Sequence, residues 1–312
     1  MNTTRSILRR EYGSVADLAA MAQLARLRLA DNLHIIDLPY RFSSWAFDVP
    51  DNIAIWERDG EMLGWAALQT PFWTIDLVAH SEAPPTLYGD MLTWVDTRAK
   101  SVAGTPQGRP CWFVNPFVDQ TEHMADLTAQ GFTDVGDWPV DAWTKVLLMR
   151  PCSEPVAPAI TLPDGFVIRP LAGEVDVDGY VAAHRAAFDS TSMTREWRAR
   201  TLQQPDYVPA LDLVAVAPSG EIAAFCIGWF NPNVGGESIG QIEPLGVAPA
   251  YQGIGLGRNI LAEQLRRQAA HGAARVWVET DNYREAAVGL YGSAGLRVVR
   301  NVRVFRKDYA SE

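Results

Sequence analysis

The sequence predicts an α/β fold, an α+β mixed sheet in each of two tandem domains. Three observations point there: a length of 312 residues, landmarks that recur about 160 residues apart, and a proline-rich stretch near the middle. At roughly 150 residues per domain the length suits two domains. Each is long enough to bury a core without disulfides or metal.

The recurring landmarks come in one order. Ile7-Leu8-Arg9-Arg10 and Val167-Ile168-Arg169-Pro170 each read as a short strand running into a helix. Ile53–Glu61 (IAIWERDGE) matches Leu213–Glu221 (LVAVAPSGE), and a second apolar run follows each, MLGWAAL or IAAFCIGWF. Apolar runs joined by a glycine turn are hairpins. Residues 129–137 (AQGFTDVGD) then parallel 293–301 (SAGLRVVRN), a helix stopped at glycine and followed by a strand. Four matches in sequence predict a duplicated domain. Between the copies, Pro151, Pro155, Pro158 and Pro163 keep the preceding residues out of the helical region. The expected organisation is a first domain at 1–150, an extended linker at 151–163 and a second domain at 164–312.

Within the second copy, Ile239–Val247 (IGQIEPLGV) reads as a strand interrupted by Pro244. Proline donates nothing to a ladder, so this strand is an edge or is bulged there. Arg258–Ala270 reads as a helix, with a Leu261, Leu265, Ala269 stripe, a Glu263–Arg267 pair and Gly272 as its stop. Ala274–Glu279 reads as a strand. Asn282 is expected to cap the next helix in a capping box with Glu285, Ala286, Leu290 and Ala294 to face the core, and Gly295 to end it.

Composition narrows the function. Hydrophobic residues at 48% and charged residues at 21% exclude a largely disordered chain. No apolar run approaches the roughly 18 residues of a membrane helix. The start, MNTTRSILRR, has no apolar signal core, so a cytoplasmic protein is expected. Cys111, Cys152 and Cys226 form no CxxC pair, which argues against a disulfide framework and a metal site. A net charge of −10 argues against nonspecific binding to nucleic acid or an anionic membrane. From Arg258 onward, however, ten basic residues face six acidic ones, which suits a small anionic ligand.

The chemistry concentrates in 247–258, VAPAYQGIGLGR. A strand ends, three glycines alternate, and a helix begins. Glycines let successive N–H groups face one concavity, and the helix start adds unpaired donors and a positive dipole end. Such a place binds phosphate or pyrophosphate. Arg258-Asn259 follow the last glycine where a Walker loop has Lys-Ser/Thr, so nucleotide hydrolysis is unsupported. The glycines run GxGxG after several strands, which fits a dinucleotide fingerprint poorly.

Gln252-Gly253-Ile254-Gly255-Leu256-Gly257 resembles the Q/R-x-x-G-x-G/A signature of the GNAT superfamily of acetyl-CoA-dependent N-acetyltransferases. Leu245-Gly246-Val247-Ala248-Pro249 is similar to that family's fourth strand running into its loop, and Asn282 with 286–296 (AAVGLYGSAGL) is similar to its later motif, Leu296 replacing the usual Phe. The resemblance is specific over about 165–308 and architectural over 1–150. It implies two tandem GNAT-like domains, as in mycothiol synthases, with the first degenerate. It further implies acetyl-CoA as cofactor, its pyrophosphate cradled by the main chain of Gln252, Gly253, Gly255, Leu256, Gly257 and Arg258. Leu245 and Val247 would pair with the pantetheine arm, and Asn282 would contact the pantetheine or the acceptor. Tyr291 would protonate the departing thiolate, and Glu243 would deprotonate the amine. Glu237 is a second candidate base, and His184, among alanines on a helix, reads as structural. Side chains are not expected to fit at Gly255 or Gly257.

The activity so implied is direct acyl transfer to a primary amine of a small molecule. The alternatives are a catalytically inactive CoA-binding regulatory protein, a mycothiol-synthase-like enzyme and a protein N-terminal acetyltransferase. A monomer is expected, its two copies packed as a pseudo-dimer, without nucleic-acid or membrane partners. The first copy has Ser81-Glu82-Ala83-Pro84-Pro85-Thr86 in place of the glycine loop and Leu127 in place of Tyr291, so one cofactor per chain is expected. A fragment 160–312 is expected to keep that affinity provided it stays folded. The first copy also holds eight of the eleven tryptophans, a load that means core or interface.

Overall fold

Two seven-stranded mixed sheets organise the chain, one in each of two units. The computed structural model describes residues 6–28, 30–156 and 161–309. In chain order the first elements are β1 (Leu8–Glu11), α1 (Val15–Leu27), α2 (Leu38–Phe42), β2 (Ile53–Arg58), β3 (Glu61–Gln69) and β4 (Thr74–Ala79). Next come α3 (Thr86–Val102), β5 (Cys111–Val114), α4 (Thr121–Ala129), β6 (Thr133–Asp134) and β7 (Lys145–Pro151). The second half contributes β8 (Val167–Pro170), α5 (Val177–Phe188), α6 (Arg195–Thr201), β9 (Asp212–Val216), β10 (Ile222–Val234) and β11 (Glu237–Val247). It ends with α7 (Leu256–Ala270), β12 (Arg275–Asp281), α8 (Glu285–Ser293), β13 (Arg297–Val302) and β14 (Phe305–Asp308).

The two sheets repeat one plan, in the orders β1-β2-β3-β4-β5-β14-β6 and β8-β9-β10-β11-β12-β7-β13. Four antiparallel strands come first in each, and the fifth pairs parallel to the fourth. The matched landmarks fall on equivalent elements. Asp59 (φ 54°) and Gly60 (φ 82°) turn the first hairpin, both left-handed as a two-residue hairpin turn demands, and Gly220 (φ 89°) turns the second. Gly131 (φ 83°) and Gly295 (φ 86°) follow α4 and α8 in the left-handed conformation.

The boundary in space differs from the one expected at 151–163. Unit 2 comprises Ile36–Ser44 and Val146–Val299, and unit 1 takes Trp45–Lys145, the chain before Ile36 and the chain from Arg300. β7 lies between β12 and β13 in the sheet of unit 2, while β14 lies between β5 and β6 in the sheet of unit 1. The repeat offset orders strands along the chain, but hydrogen-bond partners are chosen by non-local pairing, which the offset does not report. Pro151 ends β7, and Cys152 N–H donates to Ala274 O at 2.8 Å, so the presumed linker begins inside unit 2. Pro158 lies outside the described residues.

Each unit has its own core. In unit 1, Trp56, Trp65 and Trp112 are buried, which accounts for part of the aromatic load by packing. In unit 2, Leu256, Ile260, Leu261 and Leu265 of α7 pack with Leu213, Ile242, Val276 and Val278 of the sheet. Two buried glutamines, Gln264 and Gln268, also face the sheet, where only glycine leaves room. A Cβ on Gly228 would lie 1.7 Å from Gln264 Nε2, and one on Gly240 2.4 Å from Gln268 Oε1. α7 therefore sits close on β10 and β11. Among the described residues, no helix is long and apolar enough to cross a membrane.

Candidate functional site

β11 positions the site. Its ladder with β10 sets Cys226 opposite Leu245 and Gly228 opposite Ile242, so three steps on β11 match two on β10. The extra residue falls at Glu243-Pro244, where the sequence predicts a bulge. Trp229 Nε1–H donates to Glu243 O at 2.7 Å and ties the bulge to β10. On its other side, β11 joins β12 through Ile239–Gln241 opposite Arg275–Trp277, and the ladder stops there. Beyond Gln241 the two strands part. The opened edge carries Leu245 and Val247, as an extended ligand arm adding to a strand requires.

The glycine loop follows at once. Gly253 (φ 79°) and Gly255 (φ 87°) adopt the left-handed conformation that glycine tolerates best, and Gly255 caps α7. Tyr251 and Gln252 spend their N–H groups on Ala248 O and Pro249 O. Among the described residues, the main-chain N–H groups of Gly253 through Arg258 meet no acceptor. Six consecutive donors at a helix N-terminus are a seat for an anion. Carbonyls on either side are occupied: Gln252 Nε2 donates to Val247 O, and Asn259 Nδ2 to Gly255 O, both at 3.1 Å. Tyr251 holds the base of the loop, its hydroxyl donating to Glu221 at 2.7 Å and its ring edge-on to Phe166 at 5.9 Å. Arg258 is exposed on the first turn of α7, and Leu256 is buried, so Leu256 offers only main chain to a ligand.

The loop corrects two expectations, the first being that Gln252 lends its main-chain N–H to the cradle, since that group is spent on Pro249 O at 3.3 Å. A Cβ on Gly257 would lie 3.4 Å from Val247 Cγ2 and 3.5 Å from Leu290 Cδ2, ordinary contact distances. Gly257 therefore has room for a methyl group, whereas Gly255 is held to glycine by its backbone.

Tyr291 is the buried residue of α8, packed in the core cluster that also holds Cys226 and Leu245. Burial pushes its phenol far above the ordinary range, the Cys226, Glu243 and Glu279 side chains add to this, and Arg284 opposes it. Tyr291 thus stays protonated at neutral pH, as a proton donor must. The charge of Glu243 bears on Tyr40, Tyr180 and Cys226 as well as Tyr291, which places its carboxylate in the same neighbourhood beside the bulge. The expected buried face of α8 is corrected: Ala286 is exposed, and Leu290 and Ala294 are half-buried.

Asn282 is exposed and does not cap α8. β12 runs on to Asp281 and the helix starts at Glu285, with Arg284 at the cap position. Glu237 pairs with Arg275 at 2.7 Å at the far end of β11, six residues from Glu243 and about 20 Å along a strand, too distant to share its chemistry. His184 is buried, stacks on Phe225 (5.5 Å, 19°) and meets the Tyr40 hydroxyl at 3.3 Å through Nε2. Burial lowers its pKa to about 3, with Arg198 and Arg185 adding, so it remains neutral and structural.

Tyr40 and Trp229 are neighbours of the site that the sequence does not announce. Their rings lie 6.4 Å apart, and the Tyr40 carbonyl accepts from Trp197 Nε1 at 3.1 Å. Trp229 is foreseeable only as an apolar strand residue, and Tyr40 precedes its partners by more than 140 residues. The buried Arg198–Asp212 pair, with Tyr207 donating to Asp212 at 2.7 Å, completes this layer of unit 2.

Unit 1 has the same splay but a different loop. β4 pairs with β5 at Thr74 opposite Phe113. Glu82 and Ala83 spend their N–H groups on His80, Leu87 donates to Pro84 O at 2.9 Å, and Pro84 and Pro85 have none to give. Leu127 is fully buried on α4, and Tyr88 stacks face to face on His123 at 3.9 Å.

Residues 178–296 match the model of the acetyltransferase (GNAT) family. A mycothiol acetyltransferase of Arthrobacter sp. (strain FB24) is 32% identical over 179 residues, 56% of this chain and 54% of the relative. One from Kineococcus radiotolerans is 38% identical over 145 residues, 44% of this chain and 45% of the relative. The matches thus span about half the length of these curated relatives. Among solved structures, a tandem GNAT protein from the clavulanic acid biosynthesis pathway superposes with a TM-score of 0.63 at 11% identity, over 98% of this chain and 100% of the other. A GCN5-related N-acetyltransferase from Sphaerobacter thermophilus superposes with a TM-score of 0.62 at 20% identity, over 97% and 95%. Identities this low establish the shared fold.

Proposed function

We propose that this chain, which has GNAT family sequence over residues 178–296 and the tandem GNAT fold, is an acetyl-CoA-dependent N-acetyltransferase acting on a primary amine of a small molecule. The observation that carries the reading is the run of six unmet N–H groups from Gly253 to Arg258. They stand at the mouth of the β11–β12 splay, with Tyr291 on the helix that follows β12. These groups fit a pyrophosphate, and the open edge at Leu245 and Val247 fits a pantetheine arm. Acetyl-CoA would supply the activated acetyl thioester. Glu243 takes a proton from the ammonium form of the acceptor, directly or through water, which frees the nitrogen lone pair. The Tyr291 hydroxyl would hold a proton for the sulfur that leaves as the acceptor nitrogen takes the acetyl group. Asn282, exposed in the turn before α8, has access to the acceptor or the pantetheine.

Unit 1 is read as a degenerate copy without a cofactor. A cytoplasmic location suits the three free cysteines, Cys111, Cys152 and Cys226. Because the matched relatives are named mycothiol acetyltransferases, the desacetyl form of mycothiol is the first acceptor to assay. The test is thiol release from acetyl-CoA across a panel of amines, with calorimetry for the cofactor. Turnover with at least one amine and a stoichiometry near one support the reading. Binding without turnover on any amine favours a regulatory CoA-binding protein, and no binding removes the assignment.

A further inference from the structure

A cradle of N–H groups attracts an anion only while its carbonyl oxygens are turned elsewhere. In a planar trans peptide, C=O and the following N–H point in opposite directions. Fixing the Gly255 carbonyl therefore fixes the Leu256 N–H. That carbonyl accepts two hydrogen bonds from one residue, from Asn259 N and from Asn259 Nδ2, both at 3.1 Å. Asn259 is 3% exposed, and its Oδ1 is buried without a partner among the described residues.

Local preference does not explain this residue. Asparagine is among the poorer helix formers, and a buried unmatched amide oxygen is unfavourable. Neighbouring Ile260 and Leu261 fill the core, so an alanine or leucine at 259 would suit α7 better by packing alone. Gly255 at the cap cannot hold the first turn with a side chain, as Ser, Thr, Asp or Asn at that position would. The fastening comes instead from inside the helix, four residues on, and leaves the first-turn N–H groups available.

We propose that Asn259 is a positioning residue. Its side-chain amide locks the Gly255–Leu256 peptide so that the loop donors converge on the pyrophosphate of the acyl donor. The inference rests on the acetyl-CoA reading of the site. It predicts a dependence on the diphosphate part of the donor that a general packing role lacks.

The test uses the full-length chain and two donors, acetyl-CoA and S-acetylpantetheine, the latter without pyrophosphate or nucleotide. Asn259→Ala is expected to raise Kd and KM for acetyl-CoA about tenfold, with kcat little changed and kcat/KM for S-acetylpantetheine unaltered. Asn259→Ser is expected to recover most of the loss, because a serine hydroxyl within a helix can donate to the carbonyl four residues back. Equal losses with both donors, or acetyl-CoA binding untouched in Asn259→Ala, overturn the role of Asn259 and leave the site assignment standing. Absence of acetyl-CoA binding by the wild-type chain overturns both.

Discussion

Residues 160–312, expressed alone, are expected neither to fold nor to bind acetyl-CoA, although they contain the whole glycine loop and Tyr291. The fragment lacks β7, an interior strand of its sheet, and also the segment Ile36–Ser44. From β7 it loses Val146, Leu147 and Leu148, and from the segment Ile36, Leu38, Tyr40 and Phe42, all buried. At about 1.5–3 kcal/mol for each buried apolar side chain, the seven contribute on the order of 10–20 kcal/mol, an upper bound because unfolded chains already bury some surface. A domain is stable by only about 5–15 kcal/mol. Arg150 is also lost, whose Nη1 donates to Ala294 O at 3.0 Å directly behind α8. Circular dichroism with thermal melting, and calorimetry with acetyl-CoA, should find cooperative unfolding and binding in the full chain and neither in the fragment. A fragment 140–312 regains β7 but not Ile36–Ser44 and should fall between. A 160–312 fragment that melts cooperatively and binds with full-chain affinity would refute the strand assignment.

Further predictions concern single side chains. Gly257→Glu places bulk and negative charge beside the six donors and should weaken acetyl-CoA binding at least about tenfold, whereas Gly257→Ala should fit and bind nearly normally; calorimetry on the pair separates charge from space. Tyr291→Phe should lower kcat by about 10²–10⁴ with little change in cofactor affinity, and wild-type turnover would return Tyr291 to packing alone. Glu243→Gln should remove the acid limb of the kcat/KM profile, and a surviving limb would assign it to the amine or another group. For His184, the folded-state pKa of about 3 lies below the ordinary imidazole value of 6.5. Folding thus gains fully above about pH 6.5 and loses stability as pH falls toward 3, where the unfolded chain takes up a proton that the buried ring resists. His184→Gln should flatten that part of the Tm–pH curve, and an unchanged slope would assign it to carboxylates.

The local parts of this fold are legible in the sequence because their causes are local. Asp59-Gly60 and Gly220 turn their hairpins, Gly131 and Gly295 follow their helices, and Pro244 marks the bulge, each through constraints on its own backbone. The Glu263–Arg267 pair forms at 2.8 Å as its spacing requires. What depends on distant partners is not legible. The apolar run Val146–Met149 suits either sheet equally well, so nothing in it names β12 and β13 as neighbours. Tyr40 reads as one more aromatic in a short helix until α5 and β10 are set beside it. Asn282 fails for a different reason: Asn-x-x-Glu satisfies the capping pattern, but β12 extends through Asp281 and delays the helix to Glu285.

The two units separate what a fold supplies from what a site requires. Both present a strand that parts from its parallel neighbour and a helix that starts at the opening. In unit 2 the connection spends glycine on left-handed turns and leaves six N–H groups unmet. In unit 1, two prolines remove two donors outright, while His80 and Pro84 accept three more. An anion arriving there would have to replace hydrogen bonds already made, whereas at Gly253–Arg258 it completes bonds that the protein cannot make for itself. Where Tyr291 stands in unit 2, the counterpart Leu127 has no proton to give. Tyr88 and His123, stacked between the helices that flank the opening, add packing where unit 2 has glycine and small residues. The energetic asymmetry lies in a handful of residues and leaves the sheet order untouched, which is why architecture alone would predict two anion seats while the run of unmet N–H donors stands at only one of the two openings.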